Sequence, residues 1–181
     1  MTIRTVGHGN LGQGELRELL RGAGVEAVAD VRRYPGSRRH PHVAREAMEQ
    51  WLPAAGIDYR WLPALGGRRK PDPASRHVGL RNEQFRAYAD HMASEEFAGG
   101  LRDLDECAAE RSVAIMCAES VWWLCHRRLI ADHLTLVRSV TVEHLFHDGH
   151  TSPHEVTSGA RLEGGVVVYE GAERPTLFDG P

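Results

Sequence analysis

Cysteine is scarce in this sequence, paired C-x-x-C spacing is absent, and no apolar run exceeds about six residues. Each absence excludes something. Three cysteines, Cys107, Cys117 and Cys125, are an odd number without a repeated spacing, so no disulfide framework is expected. Runs that short fall far below the roughly 20 apolar residues that cross a bilayer, and no basic segment leading into an apolar one opens the chain. No membrane partner is therefore expected, and the cytoplasm is the expected compartment. There is no internal repeat and no low-complexity tract. With 41% hydrophobic and 26% charged residues the composition is that of a globular chain, and 181 residues suffice for one domain but not comfortably for two.

The net charge of −3 hides a polarity. From Asp30 to Lys70 nine Arg or Lys stand against four Asp or Glu. From Asp90 to Glu110 seven acidic residues stand against Arg102 alone. A uniformly basic chain would suggest nonspecific nucleic-acid binding. This pattern suggests instead a basic face for an anionic ligand and an acidic, solubilising back. Two solvated faces of opposite sign are the plainer alternative.

Hydrophobic periodicity alternates between strand and helix. Thr2 to Val6 reads as a strand, and Leu16, Leu19 and Leu20 mark one face of a helix that Gly22 and Gly24 end. Ala27 to Val31 is an apolar run holding one carboxylate, as in a strand covered on both faces. That βαβ unit implies a right-handed parallel crossover. Further along, Arg45–Trp51 reads as helix, Ile57–Leu62 as strand, Phe85–Met92 and Glu95–Glu110 as helices and Ser112–Met116 as strand. A long helix is then predicted over Trp123–Val137 and a strand over Val140–Phe146. The loop from Gly66 to Leu80 is long enough to be a binding loop or lid. The reading is an α/β domain over residues 1–160, a three-layer, doubly wound, mostly parallel sheet of about five strands. Residues 161–181 would add an edge strand at Val166–Tyr169 and a mobile C-terminal tail.

In such sheets ligands bind beyond the carboxyl ends of the strands. Those exits carry Gly7-His8-Gly9-Asn10, then Asp30-Val31-Arg32-Arg33-Tyr34 leading to Ser37-Arg38-Arg39, then Gly66-Gly67-Arg68-Arg69. After them come Cys117-Ala118-Glu119, followed by Cys125-His126-Arg127. Guanidinium forks grip phosphate in bidentate fashion, so several arginines at one sheet edge point to a phosphate-bearing ligand. Glu119 and Asp30 are candidate catalytic carboxylates, and His8 and His126 candidate proton carriers. Tyr34, Trp122 and Trp123 are candidate stacking surfaces for a base.

Each of these has a structural alternative. Asp30 could be a cap or an ion-pair partner of Arg32, Cys117 a small buried apolar residue, and both tryptophans core packing. A metal site is not expected: C-x7-C-H lacks the close paired spacing of structural sites, and adjacent Cys and His rarely point at one ion. No cofactor is expected. A phosphatase-like cysteine nucleophile is disfavoured because Ala118-Glu119-Ser120 supplies a carboxylate where a glycine-rich cradle is needed.

The segments TVGHGN, ADVRRYPGSRRHPH, GIDYRWLPALGGRR, FRAYADHM and MCAES…WLCHRRLIADHL, followed by VEHLF, resemble the bacterial and archaeal domain-of-unknown-function family 488 from about Thr2 to Val156. The resemblance implies a compact α/β fold and an association with DNA metabolism, including proposed excision of modified pyrimidines. It carries the family's recurrent positions onto Gly7, His8, Asn10, Asp30, Arg32, Pro35, Ser37, Arg38, Leu65, Gly66, Gly67, Cys117, Glu119, Cys125, His126 and Arg127. Gly9 stands where Ser is usual and Trp122 where Pro is usual.

The expected function is a DNA N-glycosylase that excises a modified, for example hydroxymethylated, pyrimidine. Glu119 or Asp30 would be its carboxylate and His8 or His126 its acid. Asp30 would stay ionised beside Arg32, and a more enclosed Glu119 would carry the proton. Arg32, Arg38, Arg39, Arg68 and Arg127 would hold phosphates. The alternatives are an enzyme acting on a nucleotide or phosphosugar, and a non-catalytic DNA-repair adaptor. For the adaptor, the tail Pro175-Thr176-Leu177-Phe178 is similar to peptides that dock on bacterial sliding clamps.

Overall fold

Two strands in which every side chain is buried, β2 (Ala27–Asp30) and β4 (Val113–Cys117), lie side by side at the centre of the molecule. A strand this apolar must be covered on both faces, and the alternation of its side chains shows how. Val28, Ala114 and Met116 face Leu16 and Leu20 of α1 (Gln13–Gly22) and Met48 and Leu52 of α2 (Arg45–Ala54). Ala27, Ala29, Val113 and Ile115 face the opposite layer. That layer holds Tyr88 of α3 (Glu83–His91), Leu101 and Leu104 of α4 (Glu95–Ala108), and Leu129 and Ile130 of α5 (Arg127–Leu136). The result is the three-layer α/β arrangement expected from the pattern. This computed structural model describes residues 2–170.

The sheet has six strands in the order β3-β2-β4-β1-β5-β6, with β1 at Thr2–Gly7, β3 at Asp58–Trp61, β5 at Thr141–Leu145 and β6 at Thr151–Pro153. The first five are mutually parallel, and β6 runs antiparallel at the edge. From β2 the chain leaves to the α1–α2 face, and from the adjacent β4 it leaves to the α3–α5 face. Their carboxyl ends therefore flank a crevice at a switch point, the ligand position in open α/β sheets. Among the described residues no helix is long and apolar enough to cross a membrane.

The sheet of about five mostly parallel strands is found as expected, with a sixth, β6, too short to show as a pattern. Two expectations are corrected. The helix expected from Trp123 begins at Arg127: Trp122–Leu124 form one 3₁₀ turn, and Cys125 is extended (φ −127°, ψ 148°), which turns its side chain inward to 2% exposure. Val166–Tyr169 (β8) does not join the main sheet. It pairs antiparallel with β7 (Ala160–Glu163) across Gly164-Gly165, both at positive φ as a tight hairpin turn requires. The apolar side of β8, with Val167 and Tyr169, joins the cluster that holds the inner residues of α5. The tail from Gly171 onward, including the clamp-like peptide, lies outside the described residues.

Five histidines, His8, His77, His91, His133 and His144, are buried in places that disfavour their charged form, three of them strongly. Burial holds His133 at about 4 and His144 at about 2, and burial together with Arg32 holds His8 at about 4. The unfolded chain takes up these protons below about 6.5, while the native protein stays neutral there. Stability is therefore complete above pH 6.5 and falls as the pH drops towards 4. Three protons give a slope of about 4 kcal/mol per pH unit near pH 5, taking about 1.4 for each. Thermal midpoints measured from pH 7.5 to pH 5 should fall steeply below 6.5, and a flat profile would contradict neutral burial.

Candidate functional site

Asp30 ends β2 with no solvent exposure, so its charge must be met locally. Arg32, two residues on, folds back to do so. Its backbone N–H and Nε both donate to Oδ1 (3.0 and 2.8 Å), and its Nη2 donates to Oδ2. Tyr59 of β3 adds a hydroxyl donor to Oδ2 at 2.7 Å. Burial and the Asp30 charge push that phenol well above its usual range. The remaining guanidinium nitrogen, Nη1, lies 3.2 Å from His8 Nε2. A guanidinium only donates, so Nε2 is the acceptor, and the imidazole proton sits on Nδ1, 2.9 Å from the Gly9 carbonyl.

This knot reverses two expected roles. Asp30 is the enclosed carboxylate and Glu119 the exposed one. Asp30 does not line the cleft, and both its oxygens are taken by Arg32 and Tyr59. His8, neutral and with both ring nitrogens bonded, is not placed as a general acid. Arg32 lines the cleft but directs its donors to Asp30, His8 and Met48.

Beside the knot, at the carboxyl end of β4, Cys117 meets Cys125 and His126. His126 Nε2 lies 3.1 Å from the Val31 carbonyl, which can only accept, so Nε2 carries the proton and Nδ1 presents a lone pair. Cys117 Sγ and Cys125 Sγ lie 3.8 and 3.7 Å from that Nδ1. Adjacency in sequence argued against Cys125 and His126 pointing at one spot. The extended backbone at Cys125 makes them converge. Hydrogen bonding to Cys125, then burial, pushes the Cys117 thiol up. At Cys125 burial opposes ionisation, but the hydrogen bond from Cys117 and the charge of Arg127 hold the thiol low.

Above these two groups opens a cleft of about 320 Å³. Its walls bring together Arg32, Arg33, Tyr34, Gly67, Arg68, Glu119 and His126, with Asn82, Gln84, Phe85, Tyr88 and Leu124. Tyr34 is 65% and Leu124 62% exposed. Arg68 holds a left-handed backbone (φ 57°), an uncommon state for a residue with a side chain and one that gathers at functional sites. Gly67 leaves no room for a side chain, since a Cβ there would meet His126 Nδ1 at 2.9 Å.

Other expected residues sit elsewhere. Arg127 is 1% exposed and donates from Nη2 to the Glu119 carbonyl at 2.6 Å, bracing the β4 exit rather than facing solvent. Gly7 is needed at that brace, because a Cβ would fall 1.7 Å from the same carbonyl oxygen. Gly66 likewise packs tightly on the Arg33 backbone. Trp122 stacks flat on His144 at 4.0 Å between ring centroids and 6° between planes, with Trp123 edge-on to it, so neither lines the cleft. Asn10, Arg38 and Arg39 are exposed outside the cleft lining, and Ser37 Oγ accepts the His40 N–H in a local turn.

Sequence reasoning missed Tyr59, Tyr88 and Phe85. Only the phase of the Asp58–Trp61 alternation, which sets Tyr59 opposite Val28, could have pointed to the first. The knot predicts a stability cost. Asp30→Ala strands the buried Arg32 charge and should cost about 3–5 kcal/mol, whereas Tyr59→Phe, losing one bond to a charged group, should cost about 1.5–3 kcal/mol. Urea unfolding midpoints of the two variants check the order.

Compared with known families, residues 14–134 match the one described as Domain of unknown function DUF488. No curated protein and no solved structure matches the chain.

Proposed function

The chain belongs to the DUF488 family, and from the geometry of its cleft we propose that it is a DNA N-glycosylase that excises a modified pyrimidine. One observation carries the reading. At a sheet switch point, a single cleft combines the exposed carboxylate of Glu119, the exposed aromatic ring of Tyr34 and the cations of Arg33 and Arg68. Its volume of about 320 Å³ sits at the small end of ligand pockets, room for one extruded nucleoside rather than a dinucleotide.

Extrusion exposes the base to a ring on which it stacks, and Tyr34 and Phe85 supply rings in the cleft wall. Glu119 takes a proton from a water whose oxygen bonds to the sugar C1′ as the C1′–N bond breaks. The bond's electron pair leaves with the base, which takes up a proton from solvent. The carboxylate also stabilises oxocarbenium-like charge at C1′.

Outside the cleft, Arg38, Arg39 and Lys70 are exposed and make no ion pair among the described residues. Cations placed beyond a nucleoside-sized cleft favour a polymeric phosphate backbone over a mononucleotide. Of the 22 basic residues Lys70 is the only lysine, and it does not line the cleft. A lysine nucleophile, as in enzymes that also cut the strand through a Schiff base, therefore has no place in the mechanism. The product is an abasic site in an uncut strand.

Incubation with duplex and single-stranded oligonucleotides carrying a panel of modified pyrimidines should yield abasic sites for at least one base, without strand scission until alkali is added. Glu119→Gln should lower that turnover by a factor of about a hundred or more while leaving DNA affinity within a few-fold. Arg68→Ala should reduce the slope of log affinity against log salt by about one. Turnover of free nucleotides, with no preference for polymer, would replace this reading with that of a small-molecule enzyme.

A further inference from the structure

We propose that Cys117, Cys125 and His126 form a metal site for zinc, with three protein ligands and a fourth position open to the cleft. The proposal does not rest on the glycosylase reading.

Geometry is the first argument. Zinc bound tetrahedrally at about 2.3 Å from sulfur and about 2.0–2.1 Å from nitrogen holds S and N roughly 3.5 Å apart. Here the two S···Nδ1 separations are 3.8 and 3.7 Å, and the three donor atoms all lie within 4.8 Å of one another. Two sulfurs on such an ion stand about 3.8 Å apart, so side-chain movements of at most about an ångström would close the remaining gap. The third cysteine, Cys107 on α4, is buried elsewhere and belongs to no such cluster among the described residues.

The orientation of His126 is the second. Metal-bound imidazoles generally donate their other N–H to a carbonyl or carboxylate, which fixes the ring and frees one nitrogen for the ion. His126 already does this, with Nε2–H on the Val31 carbonyl and Nδ1 turned to both sulfurs. A single nitrogen lone pair can accept only one thiol proton well, yet two sulfurs approach it at nearly equal distance. A cation that replaces the thiol protons uses all three donors at once.

The third argument is access. All three residues lie in the cleft lining, and across from Nδ1 stands Gly67, where any side chain would press on the ligand nitrogen. Thiolates and imidazole together select a borderline-soft ion over magnesium or calcium. Three such ligands with a vacant position in a cleft are the donor set of reactive rather than closed structural zinc sites. The fourth position faces the space bounded by Glu119, where water or a substrate atom would complete the coordination.

The test uses the whole protein, reduced and stripped of metal, titrated with Co²⁺. One equivalent should bind and produce sulfur-to-cobalt charge-transfer absorption with the intense visible bands of a tetrahedral ion, and Zn²⁺ should displace it. Cys117→Ser and Cys125→Ser should each lose the charge-transfer intensity in part and bind Zn²⁺ roughly a hundredfold more weakly or worse. Gly67→Ala, which only crowds the ligand nitrogen, should weaken binding about 10–100-fold, and Cys107→Ser should change nothing. Should the cysteine variants fail to fold, thiol labelling of the wild type decides instead, because Zn²⁺ must protect two of its three thiols. No cobalt charge-transfer band in the reduced wild type would overturn the proposal. So would full affinity in the Cys117→Ser/Cys125→Ser double variant, or a Cys117–Cys125 disulfide in the freshly purified protein.

Discussion

A buried carboxylate with no water to solvate it sets the terms for this whole sheet edge. Asp30 must be neutralised where it lies, and among the described residues the cation that pairs with it is Arg32, which bends the chain back immediately after β2. That reversal aims Arg33 and Tyr34 into the cleft and leaves the Val31 carbonyl facing His126. Tyr59 ties the same carboxylate to β3, and His8 ties Arg32 to the exit of β1. One ion pair thus registers three strand exits. A buried pair adds little net stability over an apolar replacement, but it is costly to break, which makes it a device for positioning.

The layered fold was legible because it follows from what must be kept dry. Ala27–Asp30 and Val113–Cys117 are apolar on both faces, and the leucines of α1 and α5 recur at helical spacing, so layers and parallel pairing follow without tertiary information. The short β6 and the polar β7 carry no such signal. β7 exposes most of its side chains, and its pairing with β8 and the Arg76–Glu163 ion pair hold it in place. At the site, the gathering of arginines and carboxylates at strand ends was legible, while the division of labour among them was not. Which carboxylate is buried depends on Arg32 folding back, a tertiary choice. The meeting of Cys125 and His126 with Cys117 depends on one extended residue between a 3₁₀ turn and a helix. Trp122 has its partner, His144, on β5, more than twenty residues away.

The basic excess between Asp30 and Lys70 divides in the same way. Arg32 serves Asp30, Arg45 serves Glu49 and covers the Trp61 ring, and Arg60 pairs with Glu106. Arg69 clamps Glu96 and the carbonyls of Pro63, Ala64 and Gly66. The acidic face of α4 is therefore partly a set of anchors for the basic loops. What remains for a ligand is a smaller group, Arg33 and Arg68 in the cleft with Arg38, Arg39 and Lys70 beyond it. Counting charges overstated the basic face by the number of arginines that the fold itself consumes.

Asp132, on α5, is the second carboxylate with no exposure. It accepts from the Thr157 N–H at 2.8 Å and the Tyr169 hydroxyl at 2.8 Å, and it faces His154 Nε2 at 2.9 Å. It lies within the segment that matches the family, and all three partners lie beyond that segment. On the ribosome, α5 emerges before any of them. Until residues 154–169 have cleared the exit tunnel, burying this helix would strand a bare negative charge in the interior. The family segment alone therefore cannot seal this layer, because the partners that make Asp132 buriable come from residues 154–169.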